Sequence, residues 1–496
     1  MTATDKSRRL ADLGLAARGG ADVRVTGISV DSRNVEEGYL FAGLPGAKMH
    51  GATFIEFALR MGARAILTDK AGAEIARTAL EQSDAALVVV EDPRMALAYA
   101  AALFYAGQPA HMVAVTGTNG KTSVANFTRQ IWIAMGLSAA NLGTTGVEGA
   151  YQAPMTHTTP EPITLHKLLS NMARAGITHA AMEASSHGLA QRRLDGVRLM
   201  AAGFTNFSQD HLDYHKDFDD YFNAKAGLFE RVLPPEGKAV INIDDPRGQQ
   251  MAEVARGRGQ RVLSVGRATG ADMCLLGQRF DASGQELLFS YDGAQHQVRL
   301  PLIGGFQAEN VLLASGLAIA CGAKPDAVFE TLRELQTVRG RMQHAATREN
   351  GAAIFVDYAH TPDAVATALK ALRPHVMGRI IVVLGAGGDR DTGKRKLMGQ
   401  AAAEHGDVVF VTDDNPRSEE PSAIREMVME GCPEAHNVGD RAEAILRAVD
   451  SLGSGDALLI AGKGHETGQT IGDVTLPFDD AEQASVAVAA LEGRLT

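Results

Sequence analysis

The sequence predicts an α/β protein of three domains. Short β-branched runs keep ending where glycines, carboxylates or hydroxyls begin, and a helical pattern follows most of them. At 496 residues the chain is also too long for one core, given roughly 150 residues per domain. Residues 1–107 read as a small α/β unit, closed by the run Ala86 to Val90 and a helix through Leu97 to Tyr105. Residues 108–336 read as a central parallel sheet with extra β structure. Its strands include His111 to Thr116 and Thr178 to Glu183, and a hairpin is signalled where Leu287 to Tyr291 and Gln297 to Leu302 flank Asp292-Gly293. Residues 337–496 read as a Rossmann-like sheet, in which Ile354 to Asp357, Ile380 to Leu384, Val408 to Thr412 and Leu458 to Ala461 each run into a polar motif. Open α/β sheets bind ligands just outside the carboxyl ends of their strands, so these motifs stand where the fold class predicts a site.

Composition narrows the function. Apolar residues at 45% and charged residues at 22% fit a soluble enzyme, and no apolar run approaches the roughly 20 residues of a membrane span. The first twenty residues lack the apolar core of a secretory signal, so a cytoplasmic protein is expected. Cys274, Cys321 and Cys432 lie far apart and offer no paired spacing for zinc. A net charge of −11 argues against a general nucleic-acid binder, so anionic ligands must be held by local sites.

The sharpest local signal is Gly117-Thr118-Asn119-Gly120-Lys121-Thr122, between a strand and a helical pattern. Glycines there let backbone N–H groups at a helix N-terminus approach a triphosphate, as in P-loop ATPases. Lys121 is expected to bridge β- and γ-phosphates, and the Thr122 hydroxyl to take a magnesium position. The full pattern wants a glycine at 115, where this chain has Val115, so the loop is a shorter variant. Downstream, Glu183 ends the next strand as a hard-oxygen candidate for magnesium. The segment Asp210-His211-Leu212-Asp213-Tyr214-His215 is dense in metal-capable groups and leaves open a zinc hydrolase.

With the loop, Met182-Glu183-Ala184-Ser185-Ser186-His187 and Asp210 to His215 in that order, the chain resembles the Mur ligases, the ATP-dependent amide-forming enzymes of bacterial peptidoglycan synthesis. The resemblance runs nearly full length. It includes Val30-Asp31-Ser32-Arg33 and Gly38-Tyr39-Leu40-Phe41 near the N-terminus, then Asp357 to Asp363, Gly385 to Asp391 and Gly462-Lys463-Gly464-His465-Glu466. Asp414-Asn415-Pro416-Arg417 is similar to the tetrapeptide of members that add meso-diaminopimelate. That amino acid carries one more carboxylate than lysine, and an arginine fork pairs with a carboxylate bidentately.

The resemblance implies a uridine-nucleotide domain at the N-terminus and a central ATP-binding domain, with the amino acid held by the C-terminal domain. UDP-MurNAc-dipeptide is implied at Val30, Ser32, Ala47, Lys48 and Met49 through its uridine, and at Thr158, Thr159, Ser185, Gln191 and Arg193 further along. ATP is implied at residues Gly117, Thr118, Asn119, Gly120, Lys121 and Thr122, with Asn310 and Arg341 at its adenosine end. Two magnesium ions are implied at Thr122, Glu183, His211 and Lys225, the last as a carbamate; read from the residues alone, Lys225 is an ordinary helix-surface lysine. Lys121, Glu183, His211 and Lys225 form the implied catalytic set. Arg390, Asp414, Asn415, Pro416, Arg417, Gly462 and Glu466 are implied to hold diaminopimelate. Gln307 and the stretch His465 to Gln469 depart from the family pattern. His187 and His360 lie in motifs that could supply a base for the amine, and sequence does not choose between them. A monomer acting on small molecules, without membrane insertion or nucleic acid, is expected.

Overall fold

The computed structural model describes residues 7–46, 48–208 and 214–494. It divides into two compact units, Met1–Val265 with Leu313–Lys324, and Gly266–Leu312 with Pro325–Thr496.

The first unit opens on a parallel sheet whose strands Ile28–Ser29, Leu40–Ala42, Ala65–Thr68 and Ala86–Val89 lie side by side in chain order. The helix after them begins earlier than its apolar periodicity suggests, at Pro93. Asp92 caps it by accepting from Met95 N–H, and proline suits a first turn whose N–H has no partner. This helix reaches Tyr105, where the Tyr105 and Ala106 carbonyls accept from Ser170 Oγ at 2.9 and 2.8 Å. Arg192 pairs with Asp92 at 2.9 Å. The first hundred-odd residues are thereby fastened to the larger sheet that follows, which is why the two form one unit.

In that larger sheet, strands run in the order Arg261–Gly266, Lys238–Asn242, Ala201–Phe204, His111–Thr116, His179–Glu183 and Ala139–Gly143, all parallel, with Gly146–Gly149 antiparallel at the edge. Their side chains are small or β-branched and mostly buried, as both faces of a parallel sheet demand. From the central strand His111–Thr116 the chain goes first to one side of the sheet and later to the other. This reversal opens a crevice at the carboxyl end of that strand. At its other end the His111 and His179 rings stack with centroids 4.2 Å apart, and Trp132 lies 5.1 Å from His179.

The second unit contains an antiparallel meander of Met273–Asp281, Gly284–Tyr291 and Ala294–Leu300. Asp292 and Gly293 both have positive φ, 49° and 76°, the geometry of a tight hairpin turn of the type the Asp-Gly signal favours. Its main sheet runs Gln343–Thr347, Ala353–Asp357, Ala457–Ala461, Ile380–Leu384, Val408–Val411 and His436–Asn437, parallel except for the first strand. Apolar clusters cover both faces, Val382 and Leu459 lying in one and Val383 and Leu458 in the other.

Burial pushes His179 down to about 4, with repulsion from His111 adding to the effect. Burial likewise lowers His166 to about 4. Both folded values lie below the ordinary 6.5, so between the two the unfolded chain binds more protons. The stability these neutral rings contribute is complete above the ordinary value and is lost as pH falls toward the folded one. The melting temperature should therefore drop from about pH 7 to about pH 5, and a His166→Gln/His179→Gln variant should show a shallower drop.

Candidate active site

The turn after His111–Thr116 comes very close to the strand end beside it. A Cβ on Gly117, whose φ is 146°, would lie 1.9 Å from Thr205 Oγ1 and 3.1 Å from the Asn206 backbone. That closeness seals the loop: Thr118 N–H donates to Asn206 O at 2.9 Å, Asn119 N–H to Asn206 Oδ1 at 2.9 Å, and the Thr205 hydroxyl to Asn119 O at 2.5 Å. Gly120, at φ 83°, then starts the helix Lys121–Ala134. Val115 explains the missing glycine. It is a fully buried strand residue opposite Glu183, so the loop begins after it.

Two ammonium groups meet on this turn. Lys121 Nζ curls back to the carbonyls of Gly117 and Thr118 at 3.0 and 2.9 Å. Lys225 Nζ donates to the same Gly117 carbonyl at 2.7 Å. Lys225 comes from the helix Phe218–Gly227, which Asp217 caps by accepting from Asp220 N–H at 2.8 Å. Far from lying on a helix surface, Lys225 is 1% exposed. Its Nζ sits 4.3 Å from the centroid of the Tyr221 ring, a cation–π contact, and the Tyr221 hydroxyl is 3.3 Å from Thr118 Oγ1. Sequence reading missed Tyr221; only its spacing one helical turn before Lys225 could have pointed to it.

Glu183 ends the strand beside the loop and is buried. Its carboxylate accepts from Thr144 N–H at 2.7 Å and Thr144 Oγ1 at 3.2 Å, and Gly143 must be glycine because a Cβ would lie 2.0 Å from Glu183 Oε1. Among the described residues no basic side chain lies within ion-pair distance of it. A buried carboxylate without a counter-charge fits a cation, and its hard oxygens with the nearby threonine hydroxyls suit magnesium.

A polar network extends from Glu183. Thr158 Oγ1 lies 3.1 Å from Thr144 Oγ1, Thr159 Oγ1 donates to Glu183 O at 3.0 Å, and Ser185 Oγ to Thr159 Oγ1 at 3.1 Å. Arg193 donates to Thr159 O at 2.7 Å and to Gln191 Oε1 at 2.8 Å. The structure thus gathers Thr158, Thr159, Ser185, Gln191 and Arg193. Thr144, which joins them to Glu183, was not singled out by sequence. Ser32 is buried in a short turn after Ile28–Ser29, while Val30 and Met49 are exposed. No hydrogen bond among the described residues ties Val30, Ser32, Lys48 or Met49 to the Thr158 network. Ala47 and His211 lie outside the described residues, as does most of the Asp210 to His215 segment. At its described end, His215 is buried, with Nδ1 3.2 Å from Asp220 Oδ2 and its ring packed against His187 and Tyr221. Asn310 and Arg341 belong to the second unit. There Asn310 Nδ2 donates to Gln307 Oε1 at 3.1 Å, so the departure at Gln307 supports Asn310. The Arg341 guanidinium lies 4.7 Å from the Tyr358 ring centroid.

The second polar cluster caps the carboxyl ends of the Rossmann-like sheet. Asn415 is its hub: Oδ1 accepts from Lys463 Nζ at 3.1 Å and Thr470 N–H at 2.9 Å, and Nδ2 donates to Glu466 Oε2 at 2.9 Å. Arg417 donates from Nη1 to Gly388 O at 2.7 Å. Gly462 needs its missing side chain, since a Cβ would lie 2.7 Å from Asp414 Oδ2. Arg390 is exposed beside these loops. Beneath them Arg441 and Asp480, both fully buried, form a two-pronged pair at 2.7 Å. Arg441 also donates to the carbonyls of Ala461 and Asp413, the residues that lead into the two motifs. His465 packs on Tyr358, and burial with repulsion from Arg341 pushes it down to about 4, so it is neutral at neutral pH. His360 Nδ1 lies 2.8 Å from Tyr358 O.

Family models match three successive segments: the Mur ligase family catalytic domain residues 24–105, the Mur ligase middle domain residues 115–318, and the Mur ligase glutamate ligase domain residues 340–464. The chain is 48% identical over 473 residues to a Bradyrhizobium diazoefficiens protein named UDP-N-acetylmuramoyl-L-alanyl-D-glutamate–2,6-diaminopimelate ligase, covering 95% of this chain and 96% of that one. The chain belongs to the Mur ligase family. A Zymomonas mobilis ligase of the same name is 46% identical, with 94% and 95% covered. A solved structure under that name superposes with a TM-score of 0.69 at 34% identity, covering 94% of this chain and 95% of that one. Folylpolyglutamate synthase of Mycobacterium tuberculosis shares the fold at 20% identity, with a TM-score of 0.61 and 81% and 93% covered. The three-domain Mur ligase fold is thus established. Membership in a ligase family also answers the zinc-hydrolase alternative.

Two substitutions test this geometry. Gly117→Ala should abolish nucleotide binding in calorimetry, because the methyl group cannot clear Thr205. Asp480→Ala leaves the Arg441 guanidinium buried and unpaired and should cost about 3–5 kcal/mol in urea unfolding.

Proposed function

We propose that this Mur ligase joins meso-2,6-diaminopimelate to UDP-MurNAc-L-Ala-D-Glu, converting ATP to ADP and phosphate, in peptidoglycan precursor synthesis. The observation that carries the amino-acid assignment is the Asn415 hub with its neighbours. Arg417 offers a guanidinium for the extra carboxylate, and Glu466, whose Oε2 is held by Asn415, directs a carboxylate at an ammonium. Arg390, Asp414, Pro416 and Gly462 complete this site. The names of the relatives support the same assignment.

In this reading residues 1–107 bind the uridine end through Val30, Ser32 and Ala47 to Met49, and residues 108–336 bind ATP. Residues 337–496 hold the amino acid. Thr158, Thr159, Ser185, Gln191 and Arg193 bind the muramyl-dipeptide portion. The γ-phosphate is cradled by Gly117 to Thr122, and Asn310 and Arg341 hold the adenosine end. Thr122, Glu183, His211 and Lys225 as a carbamate would hold two magnesium ions, which offset the repulsion between carboxylate and triphosphate. Lys121 adds a fixed positive charge where the transferred phosphoryl group develops negative charge.

The D-glutamate carboxylate attacks the γ-phosphorus, and the acyl phosphate forms as ADP leaves. The amine then attacks the acyl carbon, and phosphate departs from the tetrahedral adduct. His187 and His360 are the two candidates to take the amine's proton, and His360 Nδ1 lies 2.8 Å from the Tyr358 carbonyl. The enzyme acts as a monomer in the cytoplasm.

Phosphate release measured side by side should favour meso-diaminopimelate over L-lysine by about tenfold or more, and Arg417→Ala should erase the preference. Equal rates in the unsubstituted enzyme would overturn the assignment. Chelation of magnesium should stop phosphate release, and Glu183→Gln should raise the magnesium concentration needed to restore it.

A further inference from the structure

Arg417 is the residue on which the amino-acid assignment turns, and its backbone is strained. Its φ of 51° lies in the left-handed region that a long side chain rarely enters. Something outside the motif must hold it there. The antiparallel pair Gly468–Ile471 and Val474–Pro477 supplies the partners. Arg417 N–H donates to Thr470 O at 3.1 Å, and Arg417 O accepts from Gly472 N–H at 2.7 Å. Thr470 N–H also donates to Asn415 Oδ1 at 2.9 Å, and Gln469 Nε2 to Asp414 O at 2.8 Å. Thr470 sits opposite Thr475, yet both its N–H and its carbonyl point at the motif instead of at the other strand.

The hairpin has little other work in the fold. Its outer strand, Val474–Pro477, is exposed along its whole length, and an isolated two-stranded hairpin is barely stable in water. On the opposite side, Gly388 O fixes one guanidinium nitrogen of Arg417, and Gly388 admits no side chain because a Cβ would lie 1.9 Å from Pro416 O.

We propose that the hairpin Gly468–Pro477 is a positioning element for amino-acid selection: it locks Arg417 in the left-handed conformation that aims its guanidinium at the substrate carboxylate, with Gln469 and Thr470 as the positioning residues. This rests on the reading of Arg417 as the carboxylate-binding group.

The test compares Gln469→Ala, Thr470→Pro and Arg417→Ala in steady-state phosphate release with meso-diaminopimelate and with L-lysine. Thr470→Pro removes the N–H to Asn415 without removing a backbone bond between the two hairpin strands, and Thr470→Val, which loses only the 3.0 Å hydroxyl contact with Thr475, is the control for the side chain. Both hairpin variants should raise KM for diaminopimelate about tenfold, leave KM for ATP within about twofold, and lower the diaminopimelate-to-lysine ratio of kcat/KM toward that of Arg417→Ala. Hairpin variants that keep the original ratio while Arg417→Ala loses it would overturn the inference alone. An unchanged ratio in Arg417→Ala would overturn the underlying reading of Arg417. Equal losses toward every substrate, with a lowered melting temperature, would mark the hairpin as merely structural and overturn the proposal.

Discussion

Two ammonium groups, Lys121 and Lys225, donate to one peptide oxygen, that of Gly117. The carbonyl, the Tyr221 ring and the turn around Thr205 hold both side chains at this point. In the proposed reaction Lys121 keeps its charge for the phosphates, while Lys225 enters as a carbamate that would hold magnesium. The sheet order, the glycine at 117 and the cap at Asp217 all serve to bring these two lysines from distant parts of the chain to one atom.

Much of this was legible in the sequence because each polar motif follows directly on a strand, and strand ends in parallel sheets face the crevice. The runs at His111, Ile380 and Leu458 are strands, and the Asp292-Gly293 turn has the positive φ values its residues favour. What was not legible depends on contacts through space. Nothing in the local sequence separates Lys225 from an exposed helical lysine; its burial depends on how its helix packs. Thr144 and Tyr221 escaped notice because a threonine after a glycine and a tyrosine one turn before a lysine are common. The boundary near residue 107 separates segments that Ser170 and Arg192 fasten together, contacts no periodicity announces.

The two departures from the family pattern have become structural facts with reasons. Gln307 accepts from Asn310 within the same helical turn. The stretch His465 to Gln469 keeps Glu466 on Asn415 and turns Gln469 toward the Asp414 carbonyl. In the proposed reading, selection among amino acids depends on loop hydrogen bonding above a sheet that need not change, so one architecture can serve different substrates.

The chain contains a single tryptophan, Trp132, buried near the end of the helix that the phosphate loop begins, beside the stacked pair of His179 and His111. Its indole is thus the only such fluorophore in the molecule, next to imidazoles that quench more strongly once charged. The emission of this one side chain reads out the far end of the helix whose near end carries the Gly117 to Thr122 loop, giving an optical signal for that element without any label.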